Sequence, residues 1–215
     1  MHITVFGATG QVGKRIVQQA LNRDFYITAF GRNVDSLIDQ DNRNDHLIAR
    51  KGYIFDAGDV AAALKQADAV ISVLGGAFDG SDKSRSLGMK NIISQMKKKG
   101  VQRIVALGGL GVLSTPENDY LLNDPDYPEE YKPVGMEHLQ AYEQLLASDL
   151  DWTFYCPPNI IDADETGLYQ TSINYPVSQG IGQINAGDLA HSMLDAVVKK
   201  EFIHQRVGIS NSAWK

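Results

Sequence analysis

The chain has 215 residues, 43% of them hydrophobic and 21% charged, which suits one α/β domain with a substantial core. Twenty basic against 26 acidic residues leave a net charge of −6, which argues against a nucleic-acid partner because phosphate backbones are held by clustered Lys and Arg. One cysteine, Cys156, excludes an internal disulfide.

In chain order, residues 2–6 read as a first strand and 11–21 as a helix with Val12, Ile16, Val17 and Ala20 on one face. Residues 25–30 are the second strand. Residues 46–55 hold a third, with Arg50 and Lys51 obscuring its centre. A short helix at 60–66 precedes strand four at 69–74. The helix at 86–99 is stopped by Gly100. Strand five is 103–107, a helix follows at 134–147, strand six is 152–156, a last helix is 186–199 and a last strand 207–210. Repeated βα alternation with strands apolar on both faces predicts a Rossmann-type doubly wound, mainly parallel sheet covered by helices on both sides.

The stretch 111–133 breaks this rhythm. It carries four prolines and the acids Glu117, Asp119, Asp124, Asp126, Glu129 and Glu130. Loops of this length are usually functional or disordered, so it is either a solvated excursion or a substrate-side lid. The first apolar run ends in glycines by residue 7, unlike a signal peptide. No apolar run nears the ~20 residues of a membrane helix. The expectation is a cytoplasmic protein away from membranes, monomeric or weakly dimeric.

"GATGQVG" spaces Gly7, Gly10 and Gly13 three apart between a strand and a helix. Gly7 suits a tight turn, Gly10 lets a pyrophosphate reach the backbone, and Gly13 permits close packing of the helix. An ATP-type loop needs a glycine five residues before Gly13 and a hydroxyl after Lys14; Ala8 and Arg15 stand there instead. The second strand ends "FGRN". It offers no acid for a ribose 2′-hydroxyl, whereas Arg32 suits a 2′-phosphate, so NADP(H) is expected over NAD(H).

These motifs, with "DAVISVLGG", "RIVALGG", "LDWTFYCPPNIID" and "INAGDLAHSMLDAV", resemble the atypical short-chain dehydrogenases with an NAD(P)-binding, NmrA-like domain. The stretch "HLQAYEQLLASDLDWTFYCPPNIID" is most similar to the biliverdin reductase B and flavin reductase branch. The resemblance implies that Gly7, Thr9, Gly10, Gln11 and Val12 contact a pyrophosphate and Arg32 the adenosine phosphate. It implies that Leu74, Gly75 and Gly76 lie along the cofactor, and Leu107, Gly108 and Gly109 beside the nicotinamide. Cys156, Pro157, Pro158 and Asn159 would line the nicotinamide or substrate pocket, and His138 falls on a helix near the active site.

Departures from that family are informative. None of the nine tyrosines has lysine four residues on, so the Tyr-x-x-x-Lys pair is missing. The acid expected after strand three is replaced in "GYIFD", leaving adenine to backbone atoms near Ile54, a stacked Tyr53, or Asp56. His138, with an ordinary value near ~6.5, is the candidate proton donor, or else an exposed histidine at the start of a helix. Gly108 and Gly109 are read as giving room over the nicotinamide. Tyr120, Tyr127 and Tyr131 could stack on a planar substrate if 111–133 closes. Cys156 reads as a buried small hydrophobe, and Asp188 as a first-turn acid favoured by the helix dipole. The scattered histidines give no metal signature.

The expected function is NADPH-dependent hydride transfer to a flavin, quinone or similar planar acceptor. The alternative is an NADP-sensing regulatory protein without turnover. A sugar-nucleotide epimerase or reductase is disfavoured because the length leaves little room for a separate substrate domain.

Overall fold

The computed structural model describes residues 1–37 and 44–212. Among these, eight strands form one sheet: β1 (His2–Phe6), β2 (Tyr26–Gly31), β3 (Leu47–Lys51), β4 (Ala69–Ser72), β5 (Arg103–Leu107), β6 (Asp151–Cys156), β8 (Tyr169–Ile173) and β10 (Gln205–Asn211). Their order is β3-β2-β1-β4-β5-β6-β10-β8, and only β8, on β10, is antiparallel. A separate parallel pair joins β7 (Asn159–Ile161) to β9 (Gln183–Asn185). The helices are α1 (Gln11–Leu21), α2 (Ala57–Ala63), α3 (Ser86–Lys99), α4 (Lys132–Leu146) and α5 (Ala186–Val198). This is the expected Rossmann-like architecture.

Alternation along the strands builds two cores. Ile3, Val5, Ile27, Ala29, Ile71 and Tyr155 face α1 and α5, while Phe6, Phe30, Val70, Ile104 and Phe154 face α2, α3 and α4. The chain leaves β1 toward β2 and β3 on one side and returns to β4 on the other. The strand order therefore reverses between β1 and β4, and the crevice at their C-terminal ends is where such sheets bind ligands.

Several boundaries differ from the sequence reading for identifiable reasons. β3 is an edge strand, so Lys51 meets solvent and Arg50 is only half-buried. α2 starts at Ala57, earlier than expected, because Asp56 caps it: its Oδ1 accepts from the Asp59 N–H at 2.8 Å. α4 starts at Lys132 because Pro133 is tolerated in a first turn. Gly100 ends α3 in the left-handed conformation, φ 73°, as its position predicts. β7, β8 and β9 add to the strands read from the sequence.

The 111–133 stretch is neither fully solvated nor free. Val112, Leu113 and Leu122 are buried. Leu121 N–H donates to Leu113 O, and Ser114 N–H to Asn174 O, both at 2.8 Å. Arg206 reaches from β10 to Val112 O at 2.5 Å and Ser114 Oγ at 2.9 Å. Its guanidinium stands 5.4 Å from the ring centroids of both Tyr120 and Tyr142.

Candidate active site

The glycine turn sits at the crevice. Gly7 has φ +84°, and a side chain there would collide with the Val73 backbone at the end of β4. Gly10 is the extended N-cap of α1, donating to Gly7 O at 3.1 Å. No side chain caps this helix and no acid lies in its first turn, so its N–H groups lack a side-chain acceptor. A Cβ on Gly10 would meet only Gly7 O, at 3.5 Å, whereas one on Gly13 would overlap the turn itself. The helix thus packs on its own turn and leaves the approach at Gly10 open. Val12 is buried, so only its backbone can face a phosphate.

Thr9 and β2 meet here: Thr9 Oγ1 lies 3.9 Å from where a Cβ on Gly31 would stand. Arg32 follows, exposed on the turn. Asp82 lies within its electrostatic reach; hydrogen bonds from Ser84 hold that carboxyl below the usual range, with Arg85 and Arg32 adding attraction. Next along the edge, Ile54 and Leu74 converge on Gly88 of α3, 2.8 and 2.9 Å from its Cβ position. Tyr53 is 63% exposed, which leaves its ring free to stack. Asp56 is spent as the α2 cap.

Gly75 is open, with nothing within 4 Å of a Cβ, but Gly76 is covered by Asp82 and Arg85. Arg85, unremarkable in sequence, is buried and donates to Gly76 O at 3.0 Å and Ala77 O at 3.1 Å. It shapes the loop after β4. A second tie on that loop is Lys83, paired at 2.7 Å with the buried carboxylate of Glu137, which also accepts from Ser86 at 2.6 Å.

The expected room above Gly108 and Gly109 is filled. A side chain on Gly108 would strike the Phe154 ring, and one on Gly109 would come within 2.8 Å of His138 Cδ2. These glycines let the end of β5 approach β6 and α4 rather than clearing space. His138 is correspondingly desolvated. Its Nδ1 is buried without a partner, and burial, with Arg85 adding repulsion, pushes its pKa down to about 3. The expectation of a histidine titrating near neutrality is therefore corrected: the imidazole is neutral across the physiological range.

Cys156 is fully buried, its thiol pushed far up by that burial. Beyond it lies a cleft of about 130 Å³, bounded by Cys156, Pro158, Leu110, Leu113, Val177 and Gly208 among others. Leu107 precedes it at the end of β5, and Pro157 lies between Cys156 and Pro158. Asn159 opens β7, exposed. Gln11 Nε2 donates to Ile160 O at 3.4 Å, and Arg15 pairs with Asp162 at 2.6 Å and Asp164 at 3.2 Å. Tyr120 lies apart, its ring edge-on to Tyr142 and next to Arg206. Asp188 is buried in the first turn of α5 and accepts from Thr166 N–H, Thr166 Oγ1 and Gly167 N–H at 2.8 Å and from Asn211 at 2.7 Å.

The fold and the glycine turn define a dinucleotide-binding protein of the Rossmann class. Residues 7–200 match the model of the NAD(P)H-binding family, and the chain belongs to that family. A Burkholderia pseudomallei structure, named as a candidate exported protein, is 31% identical over 98% of this chain and 99% of its own, with TM-score 0.83. A Streptococcus pneumoniae structure, SP1627, named as a candidate NADH-flavin reductase, is 27% identical over 99% and 100%, with TM-score 0.80. A Bacteroides thetaiotaomicron structure named as a candidate epimerase is 27% identical over 100% and 98%, with TM-score 0.85. Among the described residues no helix is long and apolar enough to cross a membrane.

Proposed function

We propose that this protein is an NADPH-dependent oxidoreductase that delivers hydride to a flavin, quinone or similar planar acceptor. The observation that carries the reading is the continuous path along the C-terminal edge. It runs from Arg32 at the end of β2, over the open α1 N-terminus beside β1, past Leu74 after β4 to the end of β5, with the apolar cleft at Cys156 and Pro158 lying next beyond it. The residues fit a phosphorylated dinucleotide. A Cβ at Gly7 would fill the turn, the first-turn N–H groups await an anion, and Arg32 is free to meet a 2′-phosphate. When bound, such a cofactor supplies the hydride. The chain's part is orientation: Gly10 admits the pyrophosphate, Leu74 and Gly75 guide the path, and Pro157 and Pro158 set the far wall.

Neutral His138 has no imidazolium proton to give and could donate only a hydrogen bond, from its N–H. The same observation favours a second reading, an NADP-dependent sensor without turnover. The two are separated by mixing the protein with NADPH and an acceptor panel and following NADPH absorbance. Saturable turnover above the uncatalysed rate supports the oxidoreductase. Tight NADPH binding with no turnover on any acceptor supports the sensor.

A further inference from the structure

The cleft at the far end of the path restricts its occupant by size, by charge and by chemistry. Its volume, about 130 Å³, is well below the ~300–1,000 Å³ of pockets that enclose drug-sized ligands, so it holds a single ring rather than a fused tricycle. Its walls carry no charged side chain. The wall segment belongs to a run, 166–187, that has no Asp, Glu, Lys, Arg or His, in a chain where 21% of residues are charged. The adjacent cation is already engaged: Arg206 donates to Val112 O and Ser114 Oγ and lies against Tyr120 and Tyr142. A phosphate on the reacting molecule finds no counter-ion there.

The third restriction is the proton. Reducing a ketone leaves an alkoxide, a strong base that needs a proton donor in the transition state. Cys156 is the titratable residue among the walls, and its thiol holds its proton too tightly and too deep to exchange it. Reducing a quinone instead leaves a phenolate, and phenols ionise near ~10, so water alone can complete the reaction.

We infer that the acceptor is a neutral, single-ring quinone, seated between the ends of β6 and β10 and covered by the segment from Pro176 to Gly182. This rests on the oxidoreductase reading above. The reaction balances as NAD(P)H plus quinone plus one proton from water, giving NAD(P)⁺ and hydroquinone. The hydride leaves the donor's C–H bond and forms an O–H bond at one quinone oxygen; the displaced electron pair passes through the ring, which becomes aromatic, to the other oxygen, and that phenolate takes the proton from water.

Three measurements test this. Steady-state assays with p-benzoquinone, FMN and cyclohexanone, each corrected for the uncatalysed rate, should give a kcat/KM for the quinone at least about tenfold above the other two. Calorimetric titration with hydroquinone under argon, with NADP⁺ at saturation, should show binding by the wild type. Val177→Trp, which fills the cleft, should abolish that binding and raise quinone KM roughly tenfold while leaving the NADPH Kd unchanged. Val177→Ala checks that position 177 tolerates change, and it should retain hydroquinone binding. FMN reduced as well as the quinone, or hydroquinone binding that survives Val177→Trp, overturns the acceptor assignment and leaves the oxidoreductase reading standing. NADPH that binds without reducing any of the three overturns both.

Discussion

The imidazole of His138 stands against the α-carbon of Gly109. A methyl group on that carbon would lie 2.8 Å from Cδ2 and 3.3 Å from Nε2 of the ring. Gly109 itself has extended backbone, φ −139°, so its need for glycine is a matter of space and not of conformation. Gly109→Ala should therefore cost about 1–3 kcal/mol, the range of core overpacking. Adding His138→Ala should recover most of that loss, since the clashing ring is gone. Chemical denaturation of the two single variants and the double variant forms a cycle. Additive losses would show that the pair does not touch as described.

The same histidine makes stability depend on pH. In the unfolded chain it takes a proton below its ordinary value near 6.5, whereas in the fold it does so only near pH 3. Above the unfolded value both states are neutral and the full stability is present. As pH falls between the two values the unfolded state binds more protons, so stability drops by up to about 1.4 kcal/mol per unit. His138→Gln should remove this slope. Urea unfolding of both proteins at several pH values above about 4.5 reads it directly, with the wild type losing ground to the variant as acid is added. A difference that stays constant with pH would contradict the burial argument.

Arg32 is exposed at the end of β2 with Asp82 as its electrostatic neighbour. Arg32→Ala should weaken NADPH binding by roughly 1.5–3 kcal/mol, the scale of a hydrogen bond to a charged group. NADH, lacking the 2′-phosphate, should be little affected. Fluorescence titration with both nucleotides is the measurement, and equal losses would remove Arg32 from the phosphate site.

Asp188 gathers four donors from three residues into a fully buried carboxylate. Asp188→Asn keeps the shape but turns one acceptor into a donor facing other donors. A loss of about 1.5–3 kcal/mol is expected, with early exchange of the Thr166 and Gly167 amides. Unchanged protection of those amides by hydrogen exchange would show that the carboxylate does not hold them.

Arg206 fastens the inner side of 111–133 through two acceptors and two tyrosine rings. Arg206→Met keeps much of the apolar stem but removes both hydrogen bonds. Limited proteolysis should then cut within 116–131 several times faster than in the wild type, at equal global stability. Identical cleavage rates would mean that packing of Leu113 and Leu122 alone holds the stretch.

The sequence made the glycine turn between β1 and α1 legible because its instructions are local. Gly7, Gly10 and Gly13 act within one strand-turn-helix unit, and the βα alternation around them repeats in plain apolar runs. The rest depends on contacts between distant segments. Nothing in "LYQTSI" alternates apolar with polar, so β8 was invisible until β10 paired with it. Arg85 sits at a helix start where an arginine reads as solvated, and only the tertiary fold turns it onto Gly76 and Ala77. Gly108 and Gly109 were legible as glycines but not as contacts, because the rings that fill their space come from Phe154 and His138, far along the chain.

Helix α1 touches more than its own turn. Gln11 reaches the backbone of β7, Arg15 holds Asp162 and Asp164, and Gln19 bonds Glu165 at 2.7 Å. β7 and β9 run parallel in register, so Pro158 and Gly182, the residues just before them, stand side by side at the mouth of the cleft. The helix that follows the glycine turn is therefore also tied to the segment that leads from the cleft. Loading that turn should stiffen the segment, favouring a sequential order in which nucleotide enters first. Arg15→Ala, remote from any reacting atom, should then loosen the order, and product-inhibition patterns that do not change on that substitution would break the link.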